Sequence, residues 1–120
     1  MNKIKKLFFV GLLAFQGVSG GWLGIMVQDL TPALAARYGI HRATGVVVSR
    51  VQFNSPAMVG GLKEGDVLIS LNRQKIRDSK ALKEIVSRLS PGMSVDVIVL
   101  RARREKTLKI VLGAIPRDAV

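Results

Sequence analysis

The chain has 120 residues, 48% of them hydrophobic and 22% charged, enough for one small domain and not two. It contains no Cys and one His, which excludes a disulfide framework, a thiol nucleophile and a Cys- or His-rich metal site. Lys and Arg outnumber Asp and Glu by 19 to 8, for a net charge of +11, a balance that raises the question of anionic partners.

The N-terminus narrows that question. Lys3, Lys5 and Lys6 form a basic start without acids, followed by the apolar run Leu7 to Phe15. Such a run suits an export signal and is too short to cross a bilayer, which takes roughly 20 residues. The small residues of "QGVSG", with Val18 and Gly20 at the −3 and −1 positions, suit cleavage after Gly20. Residues 1–20 are therefore expected to be a signal peptide, or else an uncleaved membrane anchor. The expected location is periplasmic or secreted, with inner-membrane anchoring as the alternative. Export removes the three leading lysines and moves the chain away from nucleic acid. No nucleic-acid partner is expected, and membrane proximity arises only through the N-terminus.

Beyond Gly20 the elements follow in short order. Gly24 to Leu30 reads as a strand containing Ile25, Met26 and Val27. Thr31-Pro32 opens a helix that Gly39 ends. His41 beside Arg42 reads as a solvated loop residue. Gly45 to Val51 is a buried β-branched strand. "NSPAMVGG" is a Pro-started helical turn capped by Asn54 or Ser55. In "EGDVLISLN", Asp66 satisfies backbone N–H groups of a turn before the strand Val67 to Leu71. The turn Asn72-Arg73 lacks a glycine, so it departs from the favoured hairpin type or is strained. A short edge follows at Lys75-Ile76.

"DSKALKEIVSRLSPG" is the plainest helix. Its cap is Asp78 or Ser79, and Leu82, Ile85, Val86 and Leu89 fall on one face. Strands are expected at Ser94 to Arg101 and Lys106 to Leu112, joined by a basic hairpin. Arg101, Arg103, Arg104, Lys106 and Lys109 either attract acidic partners or form a solvated tip. Residues 114–120 read as a loose tail. The sum is an α+β, mainly β fold: a partly open β-sandwich or barrel of five to six short strands capped by two helices.

No catalytic constellation emerges. There is no nucleophile elbow, no cofactor motif and no paired acids outside the turn at Glu64 and Asp66. "GGWLG" is of another kind. A glycine-flanked loop that runs into a strand forms a nest of backbone N–H groups for an anion. If that strand has a free edge, an extended peptide can add to it and set its terminal carboxylate in the nest.

Three stretches carry a family resemblance: "GWLGIMVQDLTPALAARYGI", "GVVVSRVQFNSPAMVGGLKEGDVLISLN" and "DSKALKEIVSRLSPGMSVDVIVLR". In this order they resemble a bacterial PDZ domain of the HtrA/Deg type, over about residues 21–113. The resemblance implies a carboxylate-binding loop at Trp22, Leu23, Gly24 and Ile25. It also implies a peptide groove formed by Met26, Val27 and Gln28 with Leu82, Ile85, Val86 and Leu89. Leu82 and Val86 lean to core packing, Ile85 and Leu89 to the groove. The implied function is an exported, non-enzymatic module that binds C-terminal or exposed apolar peptides of envelope or secreted proteins by strand addition. The alternative is a regulatory or substrate-delivery piece of an HtrA-type serine protease system, with a separate protease as partner. No cofactor is implied. Replacing Gly24 by Val is expected to cost affinity without unfolding the domain.

Overall fold

A computed structural model of the chain describes residues 7–10, 20–40 and 44–115, with the backbone course alone at 7–10. The expectations for His41, for residues 116–120 and for residues 1–6 and 11–19 of the export segment fall outside that range.

The described residues form one antiparallel sheet. Its strands are β1 (Leu7–Val10), β2 (Ile25–Asp29), β3 (Val46–Val51), β4 (Val67–Leu71), β6 (Ser94–Arg101) and β7 (Arg104–Val111), hydrogen-bonded in that order, with the two-residue β5 (Gln74–Lys75) on β4. Three helices accompany it: α1 (Pro32–Tyr38), the single turn α2 (Pro56–Val59) and α3 (Ser79–Ser87). The mainly β architecture agrees with the expectation, with two additions. The count of strands rises because Leu7–Val10, expected in the export segment, pairs with β2. The count of helices rises because the turn after Ser55 closes as α2.

Local chemistry accounts for the helix ends. Thr31 caps α1 by accepting from Leu34 N–H (3.1 Å), and Pro32 follows it. Gly39 ends α1 in the left-handed region at φ 67°, where glycine has no Cβ penalty. Ser55 caps α2 through Met58 N–H (3.1 Å), and Asp78 caps α3 through Ala81 N–H (2.8 Å). α3 ends at Ser87, ahead of Pro91-Gly92, because Arg88 already closes its last turn.

The sheet is covered on both faces. Val46 and Val48 of β3 join Ile25, Val27, Leu68, Leu71, Val97 and the apolar face of α3 in the main core. Val47 and Val67 point the other way and pack with Leu30 and Ala35 under α1. This two-sided burial explains why "GVVV" is continuously apolar rather than alternating. β6 and β7 are joined by the two-residue turn Ala102-Arg103, with Arg101 opposite Arg104. The turn is tighter than the four-residue tip expected, so β7 starts two residues earlier. Both turn residues have positive φ (53° and 66°), as have Asn72 and Arg73 (53° and 68°) between β4 and β5. These are the torsions of a type I′ turn, which favours Asn and Gly. Of the two expectations for Asn72-Arg73, strain is the one that fits.

Candidate functional site

The loop before β2 is fastened through its carbonyls. Trp22 C=O accepts from Gly113 N–H (3.1 Å), Leu23 C=O from Ala57 N–H (3.0 Å) and Gly24 C=O from Gln52 N–H (2.9 Å). Gly21 N–H in turn reaches Val86 C=O on α3 (3.3 Å). Among the described residues, the N–H groups of Leu23 and Gly24 donate to no backbone acceptor outside the strand ladders. Among the described residues, three acceptors are thus spent and two neighbouring donors find no backbone acceptor. That polarity suits an anion.

Gly24 makes the loop possible. It stands at φ +82°, and a Cβ there would lie 2.4 Å from Ser55 Cβ and 3.1 Å from the Trp22 ring. Ser55 is fully buried. A side chain at Gly24 therefore meets two obstacles, backbone strain and a packed cap. The expectation that Gly24→Val spares the fold is corrected: the position is buried and structural. Trp22 is buried and paired to Gly113 in an isolated bridge, so it anchors the loop from behind. Its Nε1 has no hydrogen-bond partner among the described residues.

β2 and α3 form the two walls beyond this loop. Ile25 and Val27 are fully buried, whereas Met26 and Gln28 are half-buried and face the opposite side of the strand. A bulge between Met26 and Val27 shifts the pairing with β3, and Ser49 Oγ–H donates to Met26 C=O (3.1 Å). On α3, Leu82 and Val86 are fully buried and Ile85 and Leu89 nearly so. All four join Leu23, Ile25 and Val27 in one cluster. Of the eleven residues expected at the site, seven share this cluster; Met26 and Gln28 turn away from it because period-2 geometry alternates faces, and Trp22 and Gly24 stand outside it in the loop.

Sequence reasoning missed the latch at the far end. Asp29, last in β2, accepts from Ser79 N–H at the start of α3 (2.7 Å), across a sequence separation of 50. This bond sets the distance between the walls. No local pattern announces it, because Asp29 looks like an ordinary residue closing a strand. Lys83 lies on α3 near Asp29. Burial lowers its pKa from the ordinary lysine value, and the Asp29 carboxylate opposes part of that shift.

The expected anion-attracting hairpin is largely occupied by the protein itself. Arg101 turns inward and donates through Nε to Asp66 Oδ1 (2.8 Å), and through Nη2 to Asp66 Oδ2 (2.7 Å) and Gly61 C=O (2.8 Å). Lys109 faces Asp96 across the strand pair at 3.2 Å, an exposed contact of small energetic weight. The Arg103 guanidinium lies beside Gly39 at the C-terminus of α1, which favours a cation. Among the described residues, no cluster of His, Asp or Glu fits a metal ion, and no helix is long and apolar enough to cross a membrane.

An open antiparallel sheet, a nest of donors at the start of one strand and a helix laid along that strand define a PDZ-type fold. The family model described as "PDZ domain" matches residues 21–112. The chain belongs to the PDZ domain family, and within it to the HtrA type. It is 38% identical over 101 residues to a probable periplasmic serine endoprotease DegP-like of Pseudomonas fluorescens, covering 84% of this chain and 21% of that protein. The like-named protein of Marinomonas sp. is 40% identical over 101 residues, with 84% and 22% covered. The chain thus spans about a fifth of the length of these curated relatives. Among solved structures, the HtrA-type protease AlgW with a decapeptide superposes with a TM-score of 0.76 at 36% identity, covering 82% of this chain and 30% of that one. The HtrA3 PDZ domain bound to a phage-derived ligand superposes with a TM-score of 0.66 at 28% identity, covering 78% and 85%.

Proposed function

We propose that this chain is a peptide-binding module. It takes the C-terminus, or an exposed apolar strand, of an envelope or secreted protein by strand addition along β2. The observation that carries the reading is that Leu23 N–H and Gly24 N–H, at the head of the apolar seam between β2 and α3, meet no backbone acceptor outside the strand ladders among the described residues. A terminal carboxylate there accepts charge-assisted hydrogen bonds, while the ligand backbone pairs with β2. Leu23, Ile25 and Val27 with Ile85 and Leu89 receive the apolar terminal side chain. The peptides named in the AlgW and HtrA3 structures support this class of ligand. Residues 21–113 act as the binding domain, without catalysis of their own, in the periplasm that the names of the DegP-like relatives point to.

The test is titration of the full chain with matched C-terminal peptides, free acid against amide. The acid form is expected to bind about tenfold more tightly, a difference of about 1.4 kcal/mol. Equal affinities overturn the carboxylate loop.

The relatives favour a second reading, in which the module delivers substrates to, or regulates, an HtrA-type protease. Faster cleavage of a reporter bearing the bound C-terminus, on adding this chain to such a protease, supports it. An unchanged rate removes it.

A further inference from the structure

We infer that in the chain that retains its N-terminal segment, Leu7–Val10 is a ligand carried in cis, which occupies the groove and competes with peptides from outside. The inference rests on the groove reading above and specifies its regulation.

β1 pairs antiparallel with β2, with Leu7 opposite Gln28, Phe8 opposite Val27, Phe9 opposite Met26 and Val10 opposite Ile25. It lies on the side of β2 away from β3, and it also lies against α3. Those two neighbours are the walls of the groove. Direction matters as well. β1 runs toward the head of the groove, so that Val10 is the residue nearest the loop. A peptide bound by its C-terminus runs the same way. The segment Leu-Phe-Phe-Val is uncharged and β-favouring, as a strand ligand must be. Without it, β2 presents a bare edge of unpaired N–H and C=O groups.

The cis ligand is incomplete. The chain continues from Val10 to Gly11, so a peptide bond stands where an outside ligand brings a carboxylate. Correspondingly, Leu23 N–H and Gly24 N–H find no backbone acceptor outside the strand ladders among the described residues. β1 satisfies the edge of β2, and among the described residues nothing supplies a backbone acceptor at the head of the groove. A peptide with a free carboxylate satisfies both, and so displaces β1. An amide-capped or internal segment lacks that gain and competes with β1 less well. Tethering makes the competition effective. At an effective concentration of about 1 mM, a segment that binds untethered at about 0.1 mM weakens an outside ligand about tenfold.

The test uses the full chain and a fluorescent peptide ending in Leu-Phe-Phe-Val with a free carboxylate. The comparison is wild type against Phe8→Pro with Phe9→Pro. Alternate residues of an antiparallel strand direct their N–H toward the partner, so two consecutive prolines remove a ladder donor in either phase. Phe8→Asp with Phe9→Asp is an independent disruption. Both pairs leave residues 20–115 unaltered, and the environment of the single Trp reports that the domain stays folded. The expected result is about tenfold tighter binding by both variants, with faster hydrogen exchange of β2 amides in the absence of peptide. Equal, measurable affinities in wild type and variants overturn the cis ligand and leave the groove reading intact. No binding by any of the three overturns both.

Discussion

Two glycine-centred turns lead into strands of this domain, and they handle a carboxylate in opposite ways. At Glu64-Gly65-Asp66, ahead of β4, the protein supplies the carboxylate itself. Asp66 is almost fully buried and accepts from Lys63 N–H (3.0 Å) and twice from Arg101. The turn's own donors are spent too, Gly65 N–H on Val48 C=O (2.8 Å) and Asp66 N–H on Lys63 C=O (3.1 Å). At Leu23-Gly24, ahead of β2, the carbonyls are spent, while among the described residues the donors meet no backbone acceptor outside the strand ladders. Buried polar groups are normally satisfied, so the first turn reads as structure, and the contrast supports the proposed ligand site at the second. Net positive charge does not make this distinction, since Arg101 is engaged within the domain by Asp66 and Gly61.

The largest expected effect tests the structural turn. Asp66→Ala strands the partly buried Arg101 guanidinium and frees Lys63 N–H, and is expected to cost about 3 kcal/mol in urea unfolding. Peptide affinity of the folded fraction is expected to stay within twofold of wild type. A large loss of affinity would erase the contrast between the two turns.

The next pair sharpens it. Both glycines have positive φ, yet a Cβ at Gly65 meets nothing within 4 Å, whereas at Gly24 it overlaps Ser55. Gly65→Ala is expected to cost about 1 kcal/mol, from backbone strain alone. Gly24→Ala adds an overlap with a packed cap and is expected to cost about 2–3 kcal/mol. Thermal unfolding of the two variants measures the difference. Equal shifts would mean that the loop yields to admit a side chain.

The smallest effect concerns strain without glycine. Arg73 holds φ 68° in an exposed turn. Arg73→Gly relieves it and is expected to stabilise the domain by about 0.5–1 kcal/mol, with affinity unchanged.

These contrasts also mark how far the sequence is legible. β4 and β6 fall where their apolar patterns put them, and α3 follows its i, i+3, i+4 spacing because one amphipathic stripe has one place to go. The loop at Trp22 to Ile25 is legible because glycine beside a strand start is a local signal. The partners that fasten it are not. Gly113, Ala57 and Gln52 reach it through folding, as Asp29 reaches Ser79 and Arg101 reaches Asp66. Such contacts carry no periodicity and no motif. Leu7–Val10 is the instructive case. An apolar run of that kind serves an export signal, a core strand or a groove ligand equally well, and its pairing with β2 is carried by no local pattern. The short hairpin Ala102-Arg103 escaped notice for the reverse reason: its residues disfavour the turn that strand register imposes.

The central claim is that Leu23 N–H and Gly24 N–H are reserved for a carboxylate. Amide NMR of the full chain titrated with one peptide as free acid and as amide tests it most directly. The account predicts downfield shifts of the Leu23 and Gly24 amide protons with the acid form alone, while β2 amides respond in proportion to occupancy with either form. Identical shifts at Leu23 and Gly24 for acid and amide at equal occupancy would contradict it.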